Sequence, residues 1–172
     1  MELRLAQAND VNKIHEIIIQ GRNFLKKCGV NQWQNGYPNK EDIIKDIEKQ
    51  TGYILYDAGK IAAYACIDFD GEPAYDNLKG TWLDQNEYAV IHRMVVDDSY
   101  KGQGLAKQFF EQIETFVYAR GILSIRVDTD NDNNIMKHLI EKSGYVYCGT
   151  IWFDNSVKIA YQKQLVLDKR QC

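Results

Sequence analysis

Apolar side chains repeat with two different spacings along this chain, and the spacing predicts which segments are helices and which are strands. In residues 10–25 apolar positions recur every three or four residues, which is typical of a helix with one buried face. Residues 123–127 alternate apolar and polar positions, which indicates a buried strand. The same reasoning predicts helices near residues 40–47, 105–120 and 135–143, and strands at residues 2–7, 52–57, 60–68, 87–96, 145–153 and 157–163.

Short polar segments connect these elements. Ala58-Gly59 and Asp154-Asn155 each separate two predicted strands, which indicates hairpin turns. Residues 28–38 and 69–86 have no apolar period and are predicted to be loops, the second one acidic and aromatic. The resulting order, β-α-α-β-β-β-α-β-α-β-β, predicts an α/β fold with a mixed sheet of about seven strands and helices on both faces.

Composition indicates a globular protein with a single domain. The 172 residues are 45% apolar and 26% charged, without repeats, linkers or low-complexity segments. The formal net charge of −3 argues against nucleic acid as the main partner. Four cysteines without a Cys-x-x-Cys spacing predict free thiols in a reducing compartment. From the sequence we expect neither a signal peptide nor a membrane-spanning segment. We therefore expect one cytoplasmic domain over residues 1–172.

The segment from Lys101 to Ala106 carries the clearest chemical signal in the sequence. It reads Lys-Gly-Gln-Gly-Leu-Ala and connects a predicted strand, through an acidic turn, to the next predicted helix. Glycines beside the start of a helix leave backbone N–H groups free, and the helix dipole adds a partial positive charge there. The segment therefore predicts a site for a phosphate or pyrophosphate group that needs no metal.

Other binding motifs are incomplete in this sequence. Residues 128–132 resemble the start of a calcium loop, but Asn133 and Leu139 occupy the places of the required glycine and glutamate. The glycine pair of the loop lacks the third glycine of a dinucleotide-binding fold, since Lys107 stands in its place. The three histidines have no metal-ligand spacing, so we expect no metal.

Two motifs occur in a fixed order on neighbouring elements. Residues 101–106 match the pattern Arg/Gln-x-x-Gly-x-Gly/Ala, except that Lys101 replaces its first residue. The pattern Asn-x-x-Ala-x-x-Leu-Tyr-x-Lys-x-Gly-Phe then aligns with Asn133, Leu139, Lys142, Gly144 and Tyr145. Together these motifs resemble the GNAT superfamily of acetyl-coenzyme-A-dependent N-acyltransferases. The resemblance covers roughly residues 2–163. It implies a mostly antiparallel central sheet and direct acetyl transfer to an amine.

The resemblance also implies how the acetyl donor is held. Acetyl-CoA is the expected co-substrate, and its pyrophosphate is expected on Lys101, Gly102, Gln103, Gly104, Leu105, Ala106 and Lys107. The strand Met94-Val95-Val96 is expected to part from its neighbour, so that its free backbone groups pair with the pantetheine amides. Asn133 resembles the side chain that contacts the pantetheine arm. Lys101 and Lys107 either meet phosphate charge or are solvated.

The expected proton donor is missing from its usual position. The general-acid tyrosine of the family falls at Ile140, which has no proton to give. Tyr147 is a candidate acid, and Tyr145 stands where the family has a packing phenylalanine. This substitution keeps a second hypothesis open, a catalytically idle domain that binds acyl-CoA. The two hypotheses differ in whether a thiol is released from the donor.

Candidates for the general base and for the acceptor site lie in two segments. His92 precedes Met94 by two residues, so we expect both side chains on one face of the sheet. An imidazole suits proton abstraction, and His92 is either the general base or a structural, hydrogen-bonded histidine. Trp33 and Tyr37 form either a wall for the acceptor or a plug over the sheet edge. The expected acceptor is an amine of a small molecule or a peptide, and the resemblance allows a homodimer.

Overall fold

A computed structural model describes residues 1–166, which are built around one eight-stranded sheet. The strands are β1 Glu2–Leu5, β2 Gly52–Asp57, β3 Lys60–Asp68, β4 Lys79–Gly80, β5 Ala89–Val96, β6 Ser124–Asp130, β7 Val146–Phe153 and β8 Ser156–Gln164. The helices are α1 Val11–Lys27, α2 Lys40–Glu48, α3 Leu105–Ala119 and α4 Asn134–Lys142. All four helices and every strand except β4 occupy the segments that the sequence predicts.

The sheet is mixed and mostly antiparallel, as predicted. Its strands lie in the order β1-β2-β3-β5-β6-β8-β7-β4. β5 and β6 are parallel, and the other neighbouring strands are antiparallel. β5 and β6 are central strands, so the parallel pair lies in the interior of the molecule, where both faces are covered.

Helices cover both faces of the sheet. α3 and α4 pack on one face through an apolar cluster that includes Phe109, Phe110, Ile113, Val117 and Ile140. α1 and α2 pack on the other face through a cluster that includes Ile14, Ile17, Ile18 and Ile43. These buried positions follow the helical period in the sequence, because one stripe of each helix must leave water to stabilise the fold.

The segment predicted as the irregular loop 69–86 contains regular structure. Pro73–Asn77 form a short 3₁₀ turn, and Lys79–Gly80 form β4, the eighth strand of the sheet. Tyr75 and Trp82 are buried in a third apolar cluster. The prediction of an irregular loop is therefore wrong here, because the aromatic side chains bury enough apolar area to hold a non-periodic segment on the sheet.

The cysteines that the structure describes are free thiols, with Cys28 exposed and Cys66 and Cys148 buried. Cys172 and the end of the unassigned tail from Leu165 lie outside the described residues. Within residues 1–166, no helix combines the length and the apolar content that a membrane crossing needs.

The contact between β4 and β7 yields a prediction about stability. A Cβ atom on Gly149 would lie 2.3 Å from the carbonyl oxygen of Lys79, so Gly149→Ala must push the two strands apart. We expect a loss of about 2 kcal/mol or more in the free energy of unfolding, measured by urea denaturation. Gly59→Ala is the matched control, because Gly59 also has a positive φ but its Cβ would meet no atom within 4 Å. Equal losses in both variants would show that backbone conformation, and not strand contact, determines the cost.

Candidate active site

The central feature of the site is a fork between the two parallel strands. β5 and β6 pair only from Ala89 to Ile91 and from Ile125 to Val127. Beyond this point β5 keeps its partner β3 and β6 keeps its partner β8, so the edges that face each other are open. The parting of Met94, Val95 and Val96 from β6 agrees with the sequence analysis. Open strand edges offer backbone N–H and C=O groups to an extended ligand.

The glycine loop lies beside this fork at the start of α3. Gly102 and Gly104 have φ values of +76° and +74°, a conformation that costs glycine little and other residues more. Within the described residues, the backbone N–H groups of residues 102–107 donate to no other protein group. A Cβ on either glycine would meet no atom within 4 Å, so the space in front of these N–H groups is open. This arrangement is suited to binding an anion.

The two lysines of the loop have partners within the protein. Lys101 forms an ion pair with Asp98 and lies 4.2 Å from the ring centre of Phe24. Lys107 Nζ lies 3.3 Å from a carboxylate oxygen of Glu111. Both lysines remain partly exposed and line the same cleft as the glycines. They are therefore placed to contribute positive charge near the open N–H groups.

A bulge in β5 changes the predicted orientation of His92. His92 pairs with Cys66, and Val95 pairs with Tyr64. Arg93 and Met94 of β5 therefore lie opposite the single residue Ala65 of β3, which defines a bulge. Met94 packs with the apolar cluster under α3, whereas His92 Nε2 lies 3.7 Å from a carboxylate oxygen of Glu72 on the other face. The expectation that His92 and Met94 share one face is wrong, because strict alternation does not survive a bulge.

The environment of His92 keeps its imidazole neutral. Burial, together with the positive charge of Arg93, lowers the pKa of His92 to about 4. A neutral imidazole can accept a proton, but such a low pKa makes it a weak base for an ammonium group. His92 therefore stays a candidate for either role, with a low pKa that limits its strength as a base.

Asp128 is a second candidate base that the sequence analysis did not identify. It follows Val127, the last residue of β6 that pairs with β5, and it lines the cleft at the fork. The hydroxyl of Tyr75 donates to its carboxylate over 2.7 Å. Burial raises the pKa of Asp128, whereas the hydrogen bond from Tyr75 and the charge of Lys158 lower it in part. The carboxylates of Glu72 and Asp130 add to the rise, and the net direction is upward. A carboxylate at the carboxyl end of a parallel strand was the available signal in the sequence.

Arg93, on the bulge, holds one wall of the cleft. Its guanidinium forms an ion pair with both carboxylate oxygens of Asp46 on α2, with 2.9 Å between Nε and Oδ2. Its Nη1 donates to the hydroxyl of Tyr37 over 2.6 Å. Tyr37 therefore has a fixed position in the cleft, and its own proton stays available to donate. The sequence analysis did not identify Arg93 as part of the site.

Trp33 lies in the same wall as Tyr37. Its ring packs close to Gly21 of α1, where a Cβ would come within 3.3 Å of the ring. Trp33 also contacts the apolar cluster under α1 and lines the cleft. Its position is compatible with both roles left open above, a wall for the acceptor and a plug over the sheet edge.

Tyr147 and Ile140 do not bring a proton donor to the cleft. Tyr147 on β7 is 58% exposed, and its ring packs edge-on against Tyr161, away from the residues that line the cleft. Ile140 is fully buried in the cluster under α3. The geometry therefore gives Tyr147 no support as an acid.

The fork, the glycine loop and the wall that contains Trp33 and Tyr37 line one cavity of about 920 Å³. Its lining joins the strand β5 from Ile91 to Val96, the loop residues Lys101, Gly102, Gly104, Leu105, Ala106 and Lys107, and the side chains of Trp33, Tyr37, His92, Asp128 and Asn133. Gln103 is outside this lining, and its side chain donates to the carbonyl of Ser99. Within residues 1–166, no group of three or more His, Cys, Asp or Glu residues is arranged to hold a metal ion.

Comparison with known proteins agrees with this architecture. The profile of the acetyltransferase (GNAT) family matches residues 19–145. The chain belongs to the GNAT acetyltransferase family. A solved GNAT acetyltransferase from Streptococcus agalactiae 2603 is 34% identical, with a TM-score of 0.88 over 96% of this chain and 95% of that chain.

Further relatives support the same assignment. The uncharacterized N-acetyltransferase YesJ of Bacillus subtilis strain 168 is 25% identical over 145 residues, which are 81% of this chain and 78% of the relative. A GNAT acetyltransferase from Listeria monocytogenes 4b F2365 shares the fold, with 24% identity and a TM-score of 0.75 over 95% of this chain and 94% of that chain. This GNAT protein is therefore an acyltransferase, which disfavours the hypothesis of an idle domain.

The low pKa of His92 yields a prediction about acid stability. The folded state binds a proton at His92 less readily than the unfolded chain, whose histidines titrate near pH 6.5. Stability is therefore complete above pH 6.5 and falls as the pH is lowered toward 4, by up to about 3 kcal/mol from this group. His92→Asn removes this titration, so its free energy of unfolding should fall less between pH 7 and pH 4.5 than that of the unaltered protein. The free energies of unfolding are measured by urea denaturation. An equal fall in both proteins between pH 7 and pH 4.5 would contradict a lowered pKa at His92.

Proposed function

We propose that this GNAT protein transfers an acetyl group from acetyl-CoA to a primary amine of a small molecule or a peptide. The observation that carries the proposal is that the free N–H groups of residues 102–107, the open edges of β5 and β6 and the carboxylate of Asp128 share one cleft. An anion site, an extended ligand site and a base are the groups that this reaction needs together.

The donor side of the cleft fits acetyl-CoA. The N–H groups of residues 102–107 would hold the pyrophosphate, with Lys101 and Lys107 adding positive charge. The open edge of β5 beyond Ile91 would pair with the pantetheine amides, and one of its N–H groups would polarise the thioester carbonyl. GNAT proteins in general use acetyl-CoA as co-substrate, and the contacts proposed here for it involve no metal.

The acceptor side of the cleft fits a positively charged amine. Among residues 1–166, Asp128 and Glu72 have no lysine or arginine within salt-bridge distance, and His92 beside them is neutral. Lys158, whose charge also acts on Asp128, is itself paired with Asp130. This excess of negative charge would attract an ammonium group. The hydroxyl of Tyr37 and the ring of Trp33 would position the rest of the acceptor.

Asp128 would act as the general base for the transfer. It takes a proton from the ammonium group, and the freed nitrogen lone pair attacks the thioester carbon. The new C–N bond replaces the C–S bond, and the thiolate that leaves takes up the second proton that the nitrogen loses as it becomes an amide. Asp128 then releases the first proton to water. A raised pKa brings the carboxylate closer to the proton affinity of the group it must deprotonate, which favours this step.

The experiment that tests this function measures thiol release from acetyl-CoA with a panel of amines, polyamines, amino acids, aminoglycosides and peptide N-termini, together with calorimetric binding of acetyl-CoA. We expect binding, and turnover with one class of amine. Gly104→Glu is the control, because a side chain and a negative charge then enter the anion site, and binding should be lost while the fold is kept. Unchanged affinity in this variant would contradict the loop assignment, and binding without turnover on any amine would contradict the proposed transfer.

The role of Asp128 has a separate test. Asp128→Asn keeps an oxygen that can accept from Tyr75 but removes the base, so we expect kcat to fall about 100-fold with little change in the affinity for acetyl-CoA. His92→Gln is the matched variant, and we expect it to lower kcat less than about tenfold, since His92 is a weak base. A larger fall in kcat for His92→Gln than for Asp128→Asn would assign the base to His92.

A further inference from the structure

The amide of Asn133 is already committed to other protein groups. Its Oδ1 accepts from the backbone N–H of Met136 over 3.1 Å and so caps α4. Its Nδ2 donates to Oε1 of Gln32 over 2.8 Å. The resemblance assigns this amide to the pantetheine arm of the donor. In this structure each of its ends bonds to protein, and one of the two N–H groups of Nδ2 has no partner among residues 1–166.

These contacts fix the orientation of the Gln32 amide. The Met136 N–H can only donate, so the atom of Asn133 that faces it must be an oxygen, and Nδ2 must face Gln32. Gln32 must therefore present its oxygen to Asn133. The same oxygen accepts from the hydroxyl of Thr129 over 3.2 Å. Gln32 Nε2 is left with two N–H donors and makes no hydrogen bond to any residue in the range 1–166.

Gln32 lies in the cleft that the proposed function assigns to the acyl donor. It is half-buried and lines the cleft together with the loop residues 101–107 and the open edge of β5. Its segment is fixed on both sides, because the N–H of Asn31 donates to Asp132 over 3.1 Å and the side chain of Gln34 donates to the carbonyl of Arg22 over 3.0 Å. The donor amide is therefore held in position before any ligand binds.

We propose that Gln32 Nε2 donates a hydrogen bond to an amide carbonyl of the pantetheine arm of the acyl donor. A neutral NH₂ group matches a neutral carbonyl oxygen better than a phosphate, and the anchors Thr129 and Asn133 place Gln32 on the side of the fork where α4 begins. Gln32 then adds a donor beside the N–H that Asn133 has left, and Asn133 also acts as a positioning residue for Gln32. This inference rests on the proposed function.

The test compares two ligands by calorimetry, CoA and adenosine 3′,5′-bisphosphate, which lacks the pantetheine arm. Gln32→Glu keeps an oxygen for Asn133 and Thr129 but loses the donor, and Gln32→Met loses both. We expect each variant to bind CoA about tenfold more weakly than the unaltered protein. The affinity for adenosine 3′,5′-bisphosphate should not change, because this ligand does not reach Gln32.

Thr129→Val is the matched control for these variants. It removes one donor to Gln32 Oε1 and leaves Nε2 in place, so its affinity for CoA should stay within about threefold of the unaltered value. Unchanged CoA affinity in both Gln32 variants, or an equal loss for both ligands, would overturn the inference while leaving the proposed function standing. Failure of the unaltered protein to bind CoA would instead refute the proposed function, and this inference with it.

Discussion

The separation of β5 from β6 beyond Ile91 is the constraint on which the whole cleft depends. The bulge at Arg93 turns β5 at this point, and Arg93 adopts a φ of +54°, which is unfavourable for a residue with a long side chain. Its guanidinium is held by both oxygens of Asp46, and Asp46 also accepts from the hydroxyl of Tyr64. The ion pair of Arg93 and Asp46 is buried and held by several hydrogen bonds, so it fixes one geometry of the bulge. We infer that this geometry keeps the fork open.

The open fork divides the cleft into two chemically different sides. On one side lie free backbone N–H groups and lysines at the start of α3, which favour an anionic ligand. On the other side lie Asp128 and Glu72, which favour a cationic one. The proposed function places an anionic acyl donor and an ammonium acceptor on opposite sides of this cleft, with their reacting atoms where the strands part.

Much of the fold could be predicted from the sequence, because each helix and long strand has its own apolar period. The glycine loop was also visible, since its residues are contiguous and directly precede a helix. The eighth strand was not, because Lys79–Gly80 form too short a segment to show a period. Its partner on β7 is distant in sequence and could not be inferred from local pattern.

The parts of the site that depend on distant contacts were also beyond local pattern. Gln32 meets Asn133 across 101 positions of the chain, and Arg93 meets Asp46 across 47. No spacing rule connects residues that far apart. The position of His92 was mistaken for a related reason, because one inserted residue in a strand reverses the face of all that follow, and alternation alone does not reveal the insertion.

Amide hydrogen exchange of the protein, with and without saturating acetyl-CoA, shows directly whether the fork and the glycine loop hold the donor. The N–H groups of residues 102–107 have no partner within residues 1–166, so we expect them to exchange rapidly in the free state. They should become protected when the donor binds, together with the open edge of β5 beyond Ile91. Protection that appears elsewhere, with these two segments unchanged, would contradict the account of the cleft.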